Sequence, residues 1–414
     1  VGHSVASWVT GRRLAHSLER INAAWGPLTA ASLAPAPVPD RENRAKPLLA
    51  AIALLSLDQE QGSQLNNLRK KSLDQLSGED LIQLKELLST NRQSMELLKE
   101  AADRPRSNWE VPYEQTDNIN PLSFIGLLKL LNLNHARLLV ALKAGDEMGA
   151  AAAIRQGFAI TESLAQEPFL TTQMIRMAGN RQNSRLVQRY LSFVLLNTAQ
   201  LDFLDEAFLR SVRPIPMQQG LKAELALFSK WYREIGDLPS QLQSFPSAIM
   251  AKAMLILARP LLRTDFCRYL ETMSQMIEAA EQPPHLQPDF AISPIPRGQQ
   301  PKFGHFFSAQ LIPNFLDAFS KGNQEQGRVA LARTAIAIRR FQLATGRIPS
   351  HLEELVPDYL DEPPIDPFSG DLIDYDVSAD SFTLRSAGAE GPPPPYDPLL
   401  EWTLPVNAYL TSDA

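Results

Sequence analysis

Cysteine is almost missing from the 414 residues: Cys267 stands alone, so no disulfide forms within the chain and the fold must be held by its core. Histidine is sparse too. None of His3, His16, His135, His285, His305 and His351 has another histidine three or four residues away, and no Cys/His set has zinc spacing. No Gly-rich loop ends in Lys-Ser/Thr, and no Ser/His/Asp set declares itself. The sequence therefore nominates no catalytic, cofactor or metal residue. Long hydrophobic runs are lacking as well. The most apolar stretches, residues 47–57 and 249–262, fall short of the roughly 20 residues of a membrane span, and the second contains Lys252 and Arg259. They read as buried core helices.

Base is scarce at the C-terminal end. Residues 361–414 hold eleven acids against one base, Arg385, a formal charge of −10; the whole chain carries −6, which leaves +4 for residues 1–360. That excess is spread without a basic cluster, which argues against nucleic-acid binding. What is present, 44% hydrophobic and 21% charged side chains, is a globular composition long enough for two or three domains. Residue 1 is Val, which points to a longer product whose first segment, a signal or membrane anchor, is not in this chain.

Periodicity predicts a mainly α protein: a multi-helix body of helical hairpins, followed by a small α+β module of one long helix, a short helix and an antiparallel hairpin. Three regions follow, 1–110 with a Pro-rich connector at 34–39, a helical body at 111–321, and a module with an acidic Pro-rich tail at 322–414. Val5, Trp8, Val9, Leu14, Leu18, Ile21 and Trp25 predict a first helix with one apolar face. Further helices are expected at 43–57, 77–102, 122–144, 147–166, 168–210, 217–235, 246–281 and 302–321, with Pro260 kinking or ending its helix. Residues 103–121, around Trp109 and Tyr113, read as an ordered connector. Gly145 and Asp146 supply a C-cap and an N-cap, predicting an αα-hairpin. Its turn is similar to those of tetratricopeptide arrays, but no second copy follows at their period. A helix from 324 to 344 opens the module, with Arg333 and Arg340 as its charged stripe. A capping box at Ser350–Glu353 then starts a short helix to Leu360, and strands follow at 372–377 and 381–387.

Among candidate sites, His135 lies mid-helix among leucines and reads as a core imidazole. Cys267 reads as a buried small hydrophobe. Asp366, between prolines, is expected to bond nearby amides as a structural corner with Pro367 and Phe368. Asp374 and Asp376 share a strand face, which reads as its wet side against the alternative of a cation site. Arg176, Asn180, Arg181 and Arg185 form a polar helix stripe, either solvated surface or a groove for a partner.

The series Ala337-Ile-Arg-Arg-Phe341, Gly346-Arg-Ile-Pro349, Leu352-Glu-Glu-Leu355, Tyr359-Leu360, Pro364-Ile-Asp-Pro-Phe368, Gly370, Tyr375 and Phe382-Thr-Leu-Arg-Ser-Ala-Gly388 resembles the C-terminal region of the major pseudopilins of type II secretion. The likeness spans residues 325–391. It implies a long helix with a small antiparallel sheet and an Asp-Pro-aromatic corner. Pseudopilins also end in a calcium-binding acidic loop; Gly391 and Pro392 to Pro395 occupy that place here, so calcium is not expected to be needed. Trp25-Gly-Pro-Leu28, Pro37-Val-Pro-Asp-Arg-Glu-Asn43 and the helices at 122–180 resemble uncharacterised bacterial proteins with one N-terminal membrane helix. That resemblance implies an extracytoplasmic, periplasmic-face location through an anchor outside this chain. The expectation is a non-enzymatic interaction or scaffold protein with a protein or peptide partner, linked to secretion or pilus-like assembly and needing no cofactor. The alternative is an extracytoplasmic hydrolase whose groups meet only in the fold. A deep pocket with converging ionisable groups of displaced pKa separates the two readings.

Overall fold

Side-chain caps divide the first third of the chain. The computed structural model describes residues 2–29, 31–112, 122–234, 246–288, 308–387 and 400–407. After α1 (Gly2–Trp25) come α2 (Ala45–Ala53), α3 (Gln59–Leu68), α4 (Gly78–Thr90) and α5 (Arg92–Ala102). Asp58 and Gln61 form a reciprocal capping box that starts α3, a helix the periodicity does not predict, and Ser77 with Asp80 does the same for α4. The single helix expected over 77–102 is broken at Asn91. Its amide Nδ2 donates to the Leu87 and Ser56 carbonyls while its Oδ1 accepts from Ser56 N at 2.8 Å, which ties the break to the loop after α2. Trp109 in the connector is buried, donates to the Ser163 carbonyl at 2.8 Å and meets the Phe124 ring edge-on. Tyr113 lies outside the described residues.

The expected hairpin forms from α6 (Leu122–Lys143) and α7 (Glu147–Glu162). Gly145 adopts φ +68°, where a side chain would be strained, and Asp146 accepts from Gly149 N at 2.8 Å. Against the expectation that every apolar stretch falls short of a span, Phe124–Lys143 is long and apolar enough to cross a membrane by length and composition, with mean hydropathy 1.3, and 67% of it is buried inside the protein. It serves as a core helix, packed by α4, α7 and α8 (Leu170–Phe193). The run expected as one helix over 168–210 is two, α8 and α9 (Thr198–Ser211), because Asn197 and Gln200 build a third capping box. Next come α10 (Pro216–Glu234) and α11 (Pro246–Ala279); α11 continues past Pro260 instead of ending there.

Residues 308–345, expected as two helices separated near Gly322, form one 38-residue helix, α12 (Ser308–Thr345). It runs through both hydrophobic cores. Its second half, from Val329 to Phe341, enters a large core built from α2 to α9 and the sheet. Its first half places Phe315, Ala318 and Phe319 in a second core with α10, α11 and the end of α1. Three strands, β1 (Asp374–Val377), β2 (Ser381–Arg385) and β3 (Glu401–Pro405), pair antiparallel in that order. Their registers set Tyr375 opposite Leu384 and Phe382 opposite Leu404, so Phe382, Leu384, Trp402 and Leu404 all face inward and are buried. The third strand lies in what the sequence reads as tail. Arg339, buried on α12, donates to the Pro405 carbonyl at 2.7 Å and the Leu191 carbonyl at 3.1 Å, pinning β3 to α8. Arg333 and Arg340, the expected stripe, face α9 and pair with Asp205 and Asp202 at 2.7 Å each.

Candidate functional site

Where the two cores meet along α12, the surface opens into a half-enclosed cleft of about 490 Å³. Met177, Ile215, Met217 and Phe319 supply its apolar walls; Arg213, Glu281, Asn323 and Gln326 supply polar groups, with a bond from Gln218 to Glu281 beside them. Gly322 lets α12 and α10 approach closely at the cleft, since a Cβ there would stand 2.4 Å from Met217 Cγ. Glu325 also lines the cleft and pairs with Arg328 at 2.6 Å, both side chains only 3% exposed.

One wall is the segment Val212–Pro216, and Arg176 on α8 holds it from behind. The guanidinium donates to the carbonyls of Arg210, Arg213 and Pro214 at 2.9, 2.9 and 3.1 Å. Burial lowers the Arg176 pKa to about 10, against the opposing pull of Glu325 and Glu162. Asn180, one turn on, donates to the Ser211 carbonyl at 3.2 Å. Neither residue belongs to a solvated surface or an open groove, which corrects the sequence reading: both are buried, because four carbonyls left by the end of α9 and the turn beyond it need donors. Arg181 and Arg185 are half-buried and lie outside the cleft lining. Of the stripe, Arg176 and Asn180 thus position the cleft without lining it.

The structural corner is a separate element. Asp366 is buried, accepts from Ala387 N at 2.6 Å, Ser386 Oγ at 2.8 Å and Phe368 N at 3.1 Å, and so ties the turn to the end of β2. The Pro367 carbonyl accepts from the backbone and ring Nδ1 of His285, at 3.0 and 2.9 Å. Gly370, at φ +79°, leaves room for that ring. The capping acid after Pro349 is Glu354 rather than Glu353. It accepts from Ser350 N and Arg347 at 2.5 Å each, and these bonds hold its pKa at about 2; the helix it opens is one short turn, Leu352–Leu355. Asp374 and Asp376 clamp Arg385 at 3.2 and 2.9 Å on the exposed sheet face. Among the described residues no three of His, Cys, Asp or Glu converge as a metal site. Pro392 to Pro395 lie outside the described residues.

Besides Arg176 behind the cleft wall, other groups are strongly displaced. Burial and the nearby Arg189, Arg69 and Arg185 push His135 well below its ordinary value. Burial raises Glu224 to about 7 and Tyr269 well above 10, and lowers Arg189 and Arg339 to about 10. None of these five lines the cleft. Cys267 is buried, and burial raises its thiol pKa, which disfavours the reactive thiolate. The sequence carries little signal for the apolar lining, since Arg213-Pro-Ile-Pro216 reads as punctuation and Gly322 falls between the two helices expected at 302–321 and 324–344; the nearest signal is the stripe at Arg176. Neither known protein families, nor curated proteins, nor solved structures provide a match to the chain.

Proposed function

We propose that the chain is a non-enzymatic interaction protein acting outside the cytoplasm, with the cleft along α12 as the binding site for a peptide segment of a partner protein. The observation that carries this reading is the makeup of the cleft lining, behind which Arg176 is occupied by backbone carbonyls. An acid–base site gathers groups of displaced pKa around its pocket, whereas this cleft has apolar walls supplied by helices and the turn before α10, with a polar edge, the makeup of a peptide groove. The pseudopilin-like landmarks of residues 325–391 support an association with secretion or pilus-like assembly. Burial of α12 in both cores argues against polymerisation through that helix.

The test is a fluorescence-polarisation screen of apolar peptides, repeated on Ile215→Glu, which sets a charge on the half-buried apolar wall. Binding weakened about tenfold or more by the substitution supports the proposal. Hydrolysis of the peptides, or binding indifferent to the change, argues for another function.

A further inference from the structure

The helical pair α1 and α11 runs parallel, and its seam is set by spacing. Ser7, Gly11, Leu14, Leu18, Ile21 and Trp25 follow one another at intervals of four and three, the rhythm of a helix-packing stripe. Arg263 Nη1 donates to the Ser7 carbonyl at 2.7 Å near the start of α1, and Arg13 pairs with Glu271 at 2.9 Å further along. A Cβ on Gly11 would come within 3.1 Å of Arg263 Nη1. This seam leaves Val5, Trp8 and Val9 outside. They are 55%, 61% and 50% exposed, and Arg12 completes the same face with its guanidinium 5.1 Å from the Trp8 ring. Large apolar side chains at i, i+3 and i+4, capped by a base at i+7, make an amphipathic face with no partner among the described residues.

The charge at this end is one-sided. Residues 1–18 hold Arg12 and Arg13, residues 246–264 hold Lys252, Arg259 and Arg263, and neither stretch contains an acid, in a chain whose net charge is −6. The next acid along α1, the exposed Glu19, lies two turns beyond Arg12; along α11 Asp265 is buried, and Glu271 and Arg13 neutralise each other. Arg12 and Arg259 are exposed, and Leu261 on the same stretch of α11 is 36% exposed.

We infer that the amino-terminal half of α1 and the stretch of α11 beside it dock on an anionic lipid surface, with Trp8, Val5 and Val9 entering the headgroup region and Arg12 and Arg259 meeting the phosphates. Charge complementarity selects this occupant. An apolar patch on a protein interface needs no such excess of base, whereas an anionic leaflet attracts each arginine and accommodates tryptophan at its boundary. The inference is independent of the peptide cleft, which lies along α12.

Co-sedimentation of the 414-residue chain with vesicles tests it, using phosphatidylcholine alone and phosphatidylcholine mixed with phosphatidylglycerol. The expected result is binding to the mixed vesicles only, weakened by salt, with Trp8 fluorescence quenched by brominated lipid. Trp8→Ser and the double variant Arg12→Glu, Arg259→Glu should each lower binding about tenfold or more. These positions are exposed, so unchanged circular dichroism and melting are required of both variants. The inference is overturned by absence of binding to the mixed vesicles, or by binding that both folded variants retain. Self-association abolished by Trp8→Ser, without vesicle binding, overturns it in favour of a second copy of the chain.

Discussion

Glu325 and Arg328, three residues apart on α12, form a 2.6 Å ion pair with both side chains 3% exposed, at the level where one hydrophobic core gives way to the other. A buried pair adds little net stability over an apolar one, yet it fixes geometry, because neither charge can be left alone inside. It makes the seam a defined place on an otherwise continuous helix, and the cleft opens there.

Arg176→Ala should lower unfolding free energy by about 2–5 kcal/mol, since the carbonyls of Arg210, Arg213 and Pro214 lose a charged donor away from water. Urea denaturation measures the loss. Hydrogen exchange should rise in the segment Val212–Pro216 at denaturant levels where the rest of the chain stays protected. A loss below about 0.5 kcal/mol would mean that the wall holds its own shape.

Phe341→Ala should cost about 3–5 kcal/mol. The ring is 5% exposed, edge-on to Tyr359 at 5.5 Å and 4.9 Å from the Arg347 guanidinium, so its removal leaves a cavity between α12 and the short turn at Leu352–Leu355. Equilibrium unfolding decides it.

Acid sensitivity should trace in part to His135. Its Nε2 sits 3.4 Å from Arg189 Nη1, with Arg185 also on α8 and Arg69 beyond α3, so burial and three guanidiniums oppose a second proton. The unfolded chain binds that proton near pH 6.5, while the folded chain binds it only well below. Stability from this group is therefore complete above pH 6.5 and lost as pH falls toward the folded pKa. Melting temperatures of wild type and His135→Gln, compared from about pH 7.5 to 5, should show a shallower decline for the variant. Equal slopes would place the acid response elsewhere.

Millimolar calcium should leave the melting temperature of chelator-treated protein nearly unchanged. Asp374 and Asp376 already hold Arg385, and a cation would have to displace it. Saturation at 100 times a dissociation constant would add about 2.7 kcal/mol, which a thermal scan detects as a rise of several degrees.

Local chemistry made much of the fold legible. The α6–α7 turn was readable because Gly145 and Asp146 have roles that few other residues fill, and the β1–β2 hairpin because its apolar positions alternate. Errors arose where a distant contact decides. Asn91 breaks a helical pattern because Ser56 is there to receive it, and Gly322 continues a helix because Met217 packs where a side chain would be. Trp402 and Leu404 did alternate, but four prolines upstream disguised β3 as tail. The cleft was least legible of all. Its walls come from α8, the turn before α10, the end of α11 and the middle of α12, and nothing in one segment announces the others.

Hydrogen-exchange mass spectrometry, with and without the tightest peptide from the screen, tests the central claim most directly. Peptide binding at the seam predicts protection concentrated in residues 212–218 and 319–326, and its disappearance in Ile215→Glu. Protection confined to any other surface, or none with the peptide saturating, would contradict the assignment of the cleft as the binding site.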